Sequence, residues 1–176
     1  ERIIKSVVAN TELPVTTKIR SGYDEPSRDP VAIGLRCQDA GSRMVTLHPR
    51  TRTDMYSGEA RWDEIASLVV ALDVPVVGNG DIKEGEDAGR MKEQTNCAGV
   101  MIARGSHGYP WIFREARAVL DGLPIPAEPD VEERFNICLE HIRNGIQFGH
   151  DADRTLIDFR KHLGWYTKGL PGGKTL

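Results

Sequence analysis

Cysteine is scarce in this chain: three of 176 residues, at positions 37, 97 and 138. The number is odd, the spacing is wide and there is no CxxC pair, which excludes a disulfide framework and a structural zinc site. Long apolar runs are missing as well. Nothing approaches the roughly 20 residues that a membrane span requires, and the opening Glu1–Lys5 lacks the apolar core of a secretory signal. The expectation is a cytoplasmic protein with no membrane partner. Neither charge sign dominates, with 23 Lys plus Arg against 26 Asp plus Glu and a net charge of −3, so composition alone does not advertise an RNA binder. An initiator Met is also lacking and the chain opens on helix-like sequence, which predicts a piece of a longer protein.

What is present is a repeat. Four β-rich runs, Val15–Arg20, Met44–His48, Val74–Gly78 and Gly99–Ala103, start 29, 30 and 25 residues apart, near the ~30 residues of a strand, crossover helix and strand. Each gap holds a helix pattern. Asp29 as cap and Pro30 at the first helical position open one, with Ile33, Cys37 and Ala40 on a face and Gly41 as its stop. Residues 62–72 carry Ile65, Leu68, Val69 and Leu72 at helical spacing, and residues 84–95 form a more polar third crossover. Parallel pairing follows, and with it an α/β fold. An all-parallel array of this repeat forms either an open doubly wound sheet or a (β/α)8 TIM barrel of roughly 250 residues, of which four units are half. After a helix over 110–120 and the Pro-rich stretch 122–130, only helical periodicity remains, with stripes Phe135, Cys138, Leu139, Ile142, Ile146 and Leu156, Phe159, Leu163, Tyr166. The predicted organisation is the second half of a barrel at 1–122 and the beginning of a small helical domain at 131–176.

Function in such barrels gathers at the C-terminal strand ends. Here those ends are polar: Lys18 and Arg20, then His48, then Asn79-Gly80-Asp81, then Ala103-Arg104-Gly105. The loop 103–108, rich in glycine and followed by Pro110 at a predicted helix start, is a candidate phosphate cradle, because successive N–H groups and a helix N-terminus attract an anion. Lys18 is a candidate for stabilising negative charge. A lone His48 is a donor candidate, and His48 with Asp81 are too few ligands to argue a metal. Near the end, residues 154–174 hold Arg154, Arg160, Lys161, Lys168 and Lys174 against Asp158 alone, a local charge of +4. On one helix Arg154, Lys161 and Lys168 form a basic rail opposite the Leu156–Tyr166 stripe. Trp111, Phe113, Trp165 and Tyr166 read mainly as core.

Taken together, the segments VTTKIRSGYD, VTLHPRTRTDMYSGEARWD, VPVVGNGDI, GVMIARGSHGYPWIFRE and FRKHLGWYTKGLPGG resemble the tRNA-dihydrouridine synthases, most closely the bacterial DusB-like branch, across nearly the whole chain. The resemblance implies an FMN-binding barrel followed by a helical tRNA-binding domain. It implies that Lys18 and His48 line the flavin ring, that Asn79, Gly80 and Asp81 contact its ring or ribityl side, and that Ala103, Arg104 and Gly105 hold its phosphate. It further implies NADPH as reductant, hydride delivery to C6 of a tRNA uridine and a cysteine acid at C5. The N-x-G-C-P type loop that carries this cysteine is absent here, so no catalytic residue is assigned and the 176-residue piece is expected to be inactive alone. Arg50 and Arg52 are expected to contact RNA beside the target base, Arg154, Lys161 and Lys168 its backbone, and Tyr56 to stack on the base. Two rivals remain: an FMN barrel oxidoreductase acting on a small pyrimidine, and a non-catalytic RNA-binding fragment.

Overall fold

A computed structural model describes residues 1–149 and 151–170. Helix α1 (Arg2–Ala9) precedes four βα units: β1 (Thr17–Arg20), α2 (Pro30–Asp39), β2 (Val45–His48), α3 (Trp62–Ala71), β3 (Val76–Asn79), α4 (Gly85–Thr95), β4 (Gly99–Met101) and α5 (Ile112–Leu120). Two longer helices, α6 (Val131–Phe148) and α7 (Ala152–Tyr166), follow. The strands form one parallel sheet in the order β1-β2-β3-β4. This is the α/β arrangement of half a TIM barrel, because sequential neighbours joined by crossover helices leave every strand end on the same rim.

Local chemistry accounts for the boundaries. The Asp29 side chain accepts from the Ala32 N–H at 2.9 Å, Pro30 sits in the first turn, and Gly41 at φ 97 releases the chain from α2. Strand β3 opens at Val76, directly after Pro75, whose carbonyl accepts from the Val45 N–H at 3.0 Å although it has no N–H to give. Asn96 ends α4 at φ 53, a left-handed conformation that Asn tolerates. All four residues of β2 are buried, as expected of a parallel strand covered on both faces. The principal core joins Val45, Leu47, Ile65, Leu68, Val76, Met91 and Ile112 between the sheet and α3–α5.

A second, smaller core holds Trp111, Cys138, Phe159 and Tyr166. It seats α6 and α7 against the start of α5, where Trp111 Nε1 also donates to Glu133. Here the expected stripes are only half buried. Cys138, Phe159 and Tyr166 are covered, but Phe135, Leu139, Ile146, Leu156 and Leu163 are between 38% and 47% exposed. Phe113, expected in the core, is also exposed, because α5 turns its buried face through Ile112, Ala116 and Ala118 instead. Among the described residues no helix is long and apolar enough to cross a membrane.

Candidate functional site

At the C-terminal rim of the sheet lies a cavity of about 780 Å³, within the roughly 300–1,000 Å³ typical of small-molecule and cofactor sites. All eight residues expected from the sequence to hold a cofactor line it: Lys18, His48, Asn79, Gly80, Asp81, Ala103, Arg104 and Gly105. The parallel register accomplishes this, pairing Arg20 with His48 and Asn79 with Met101 so that four strand tips end at one level. Asn79 is locked in place, its Nδ2 donating to the Met101 carbonyl at 2.8 Å.

Lys18 opens onto the cavity, and crowding by the protein and by Arg20 lowers its pKa. Arg20, two residues on and therefore on the same strand face, lines the cavity as well and donates to the Thr51 carbonyl at 2.6 Å. Arg20 thus joins Lys18 at the polar end of β1, a cation beyond the eight residues expected to hold a cofactor. His48 is buried and its pKa falls to about 4, from burial first and then from the Arg20, Lys18 and Arg50 charges. At neutral pH it is an uncharged imidazole.

Arg50 corrects one expectation. It is 2% exposed, and its guanidinium is clamped by Asp81, Nη1 to Oδ1 at 2.9 Å and Nη2 to Oδ2 at 2.8 Å. A buried, paired arginine has nothing left to offer an RNA backbone. Arg52 in the same loop is exposed. Asp81, expected to face a ligand, spends its carboxylate on Arg50 and on the Ala60 N–H at 2.7 Å. The arginine holds its pKa below the usual aspartate value against the cost of burial.

The loop after β4 forms a short 3-10 turn, Arg104–Ser106. Helix α5 starts at Ile112 rather than Pro110, and carbonyls of Tyr109, Pro110 and Trp111 take the first-turn amides of Ile112, Phe113 and Glu115. The helix N-terminus therefore contributes less than its sequence position suggested. The Arg104 and Gly105 amides donate to no acceptor among the described residues and remain available to an anion. Gly105 is required by the protein itself, since a Cβ there would strike the Ile82 carbonyl. The Arg104 guanidinium lies over the Tyr56 ring, 4.0 Å from its centroid, bridging the loops after β2 and β4.

The far wall belongs to the helix pair. Trp165, expected in the core, instead stacks on His107 with centroids 4.2 Å apart and lines the cavity. Arg134, Lys168 and Tyr109 stand beside it. No local sequence signal joins His107 to Trp165. The basic rail also divides: α7 ends at Tyr166, so Lys168 leaves the helix line and reaches the cavity. Lys161 remains exposed on the outer face, while Arg154 pairs with Asp158 at 3.1 Å. Lys174 lies outside the described residues. Among the described residues six Lys and Arg side chains line the cavity, Lys18, Arg20, Lys83, Arg104, Arg134 and Lys168, with Asp81 as the one carboxylate. A chain of net charge −3 has thus concentrated cations where a phosphorylated ligand would sit. Cys37, Cys97 and Cys138 are buried away from this cavity.

The dihydrouridine synthase (Dus) family model matches residues 1–176, the whole chain. The chain belongs to that family. A probable tRNA-dihydrouridine synthase 1 of Synechocystis sp. is 41% identical over 176 residues, covering 100% of this chain and 49% of the relative. The tRNA-dihydrouridine synthase B of Pasteurella multocida is 36% identical over 170 residues, or 97% of this chain and 51% of the relative. A probable tRNA-dihydrouridine synthase of Rhodobacter capsulatus is 40% identical over 167 residues, or 95% and 51%. This Dus chain therefore spans about half the length of the curated relatives it matches.

Proposed function

We propose that the protein works as a cytoplasmic tRNA-dihydrouridine synthase, reducing uridines of tRNA to 5,6-dihydrouridine with FMN as cofactor and NADPH as reductant. The observation that carries this reading is the convergence of all four strand tips on one cationic cavity. The donor set fits a flavin mononucleotide: free amides at Arg104 and Gly105 for the phosphate, Lys18 for negative charge on the ring, and a neutral His48 for a ring or base carbonyl. Bound there, FMN would supply the hydride. The chain's own part is to bind and orient it, to hold the phosphate end by the turn after β4, and to meet the incoming RNA with cations.

Lys168 and Arg134 stand at the cavity and Lys161 and Arg52 on open surface, where they would hold tRNA phosphates without reading bases. Residues 131–170 serve in this reading as the tRNA-binding part. The target uridine has to leave its stack to reach the cavity. None of the three cysteines borders the cavity, so the C5 proton does not come from them, and we infer that the 176 residues alone do not turn over. The test combines two measurements on the intact protein: visible flavin absorbance after purification, and dihydrouridine formed in unmodified tRNA with NADPH. A colourless protein, or one that oxidises NADPH with a free pyrimidine but not with tRNA, overturns the proposal.

A further inference from the structure

Burial removes Arg50 from the RNA-contacting set and leaves open what so costly a buried pair is for. A guanidinium carries five N–H donors in one rigid plane. Here all five are engaged. Nε donates to the Ser57 carbonyl at 3.1 Å, Nη1 to Asp81 Oδ1 at 2.9 Å and to His48 Nε2 at 3.3 Å, and Nη2 to Asp81 Oδ2 at 2.8 Å and the Gly58 carbonyl at 2.6 Å. Arginine has no acceptor and keeps its proton, so the His48 nitrogen that faces it accepts. A neutral imidazole that accepts at Nε2 carries its proton on Nδ1.

The groups around the ring favour that neutral form. Lys18 and Arg20 face it from β1 and Arg50 from its own loop, and the one nearby carboxylate, Asp81, is already committed to Arg50. Among the described residues every fully buried side-chain nitrogen or oxygen has a partner. His48 Nδ1 has no partner among the described residues and is therefore not fully buried, and His48 lines the cavity. The turn that delivers Asp81 is itself constrained: Gly80 has φ 124 with its Cβ position 3.0 Å from the His48 ring, and Asp81 sits at φ 56. Aspartate tolerates this left-handed conformation, and here it turns the carboxylate toward Arg50.

We propose that Asp81 is a positioning residue: by clamping Arg50 in plane it makes His48 Nε2 an obligate acceptor and leaves Nδ1–H as a fixed donor to a carbonyl oxygen of the bound ring. The ligand in this statement rests on the flavin and uridine reading; the tautomer does not. Lysine at position 50 would keep the charge but not the fork.

The test labels the histidines of the intact protein with nitrogen-15 and assigns His48 by its loss in His48→Gln. The expected result is Nδ1–H and an unprotonated Nε2 from pH 6 to 8 without ligand. Asp81→Asn and Arg50→Lys should both mix the tautomers and raise the FMN dissociation constant about tenfold, the loss of one good hydrogen bond. Nε2–H in the wild type overturns the inference, and that spectrum decides even if both variants fail to fold. Variants that keep Nδ1–H, or that lose it with unchanged affinity for FMN and tRNA, overturn it as well. The expected tautomer in a protein that binds no FMN upholds the positioning role and removes the flavin reading instead.

Discussion

The sheet layer and the helix pair bury apolar residues in different ways. Between the strands and α3–α5, Val45, Leu47, Ile65, Leu68 and Met91 are completely covered. Across α6 and α7 no residue of the two apolar stripes is covered so fully: Cys138, Phe159 and Tyr166 are buried but keep between 4% and 8% exposure. Both regions show clear periodicity, so periodicity alone does not tell them apart. It states which residues share a face, and says nothing of whether a partner lies against it. A parallel sheet with crossovers supplies its own partner, because each helix packs on the strands it connects.

The sharpest way to test this contrast is a pair of truncations followed by urea unfolding. Leu47→Ala in the sheet layer should cost about 2–5 kcal/mol, the usual range for a filled core site. Leu156→Ala, 46% exposed on α7, should cost less than about 1 kcal/mol. Equal costs would mean that α7 is as tightly built as the sheet.

Acid should weaken the strand-end side first. His48 titrates near 4 in the fold, below its ordinary value of 6.5, so the unfolded chain takes up the proton first as pH falls. Stability is then full above about 6.5 and is lost progressively down to about 4, by up to roughly 3 kcal/mol. His48→Gln should flatten that part of the curve relative to wild type.

The joint between the regions comes next in size. Gly108 has φ 71, and a Cβ there would meet the Trp165 backbone. Gly108→Ala should cost about 1–3 kcal/mol through strain and shift the fluorescence of Trp165 as its stack on His107 opens. An unchanged spectrum would show that the two regions are not coupled there. The smallest effects concern RNA. If Lys168 holds a tRNA phosphate, Lys168→Ala should lower the salt dependence of binding by about one counterion. Arg154→Ala should change it less, since Asp158 already occupies that guanidinium.

Much of the site was legible in the residue order. Polar residues at four strand tips, spaced by a constant unit, had to share one rim once the strands were parallel, and Lys18, His48, Asn79 and Arg104 do. Arg50 was misread because loop arginines next to a site are usually solvated, and only the position of Asp81, 31 residues later, shows that this one is buried. Trp165 was misread for a related reason: its partner His107 belongs to another element, and helical spacing offered only the core as an explanation.

Order along the chain therefore settled what obeys short-range rules: strand and helix type, end signals such as Asp29 and Gly41, the repeat, and the rim on which chemistry collects. Packing settled which charges meet. Arg50 finds Asp81, Arg104 finds Tyr56, and Lys168 turns from the α7 line into the cavity. The reason is physical: hydrogen bonds and ion pairs depend on distances of a few ångströms between residues far apart in sequence, whereas periodicity constrains only neighbours.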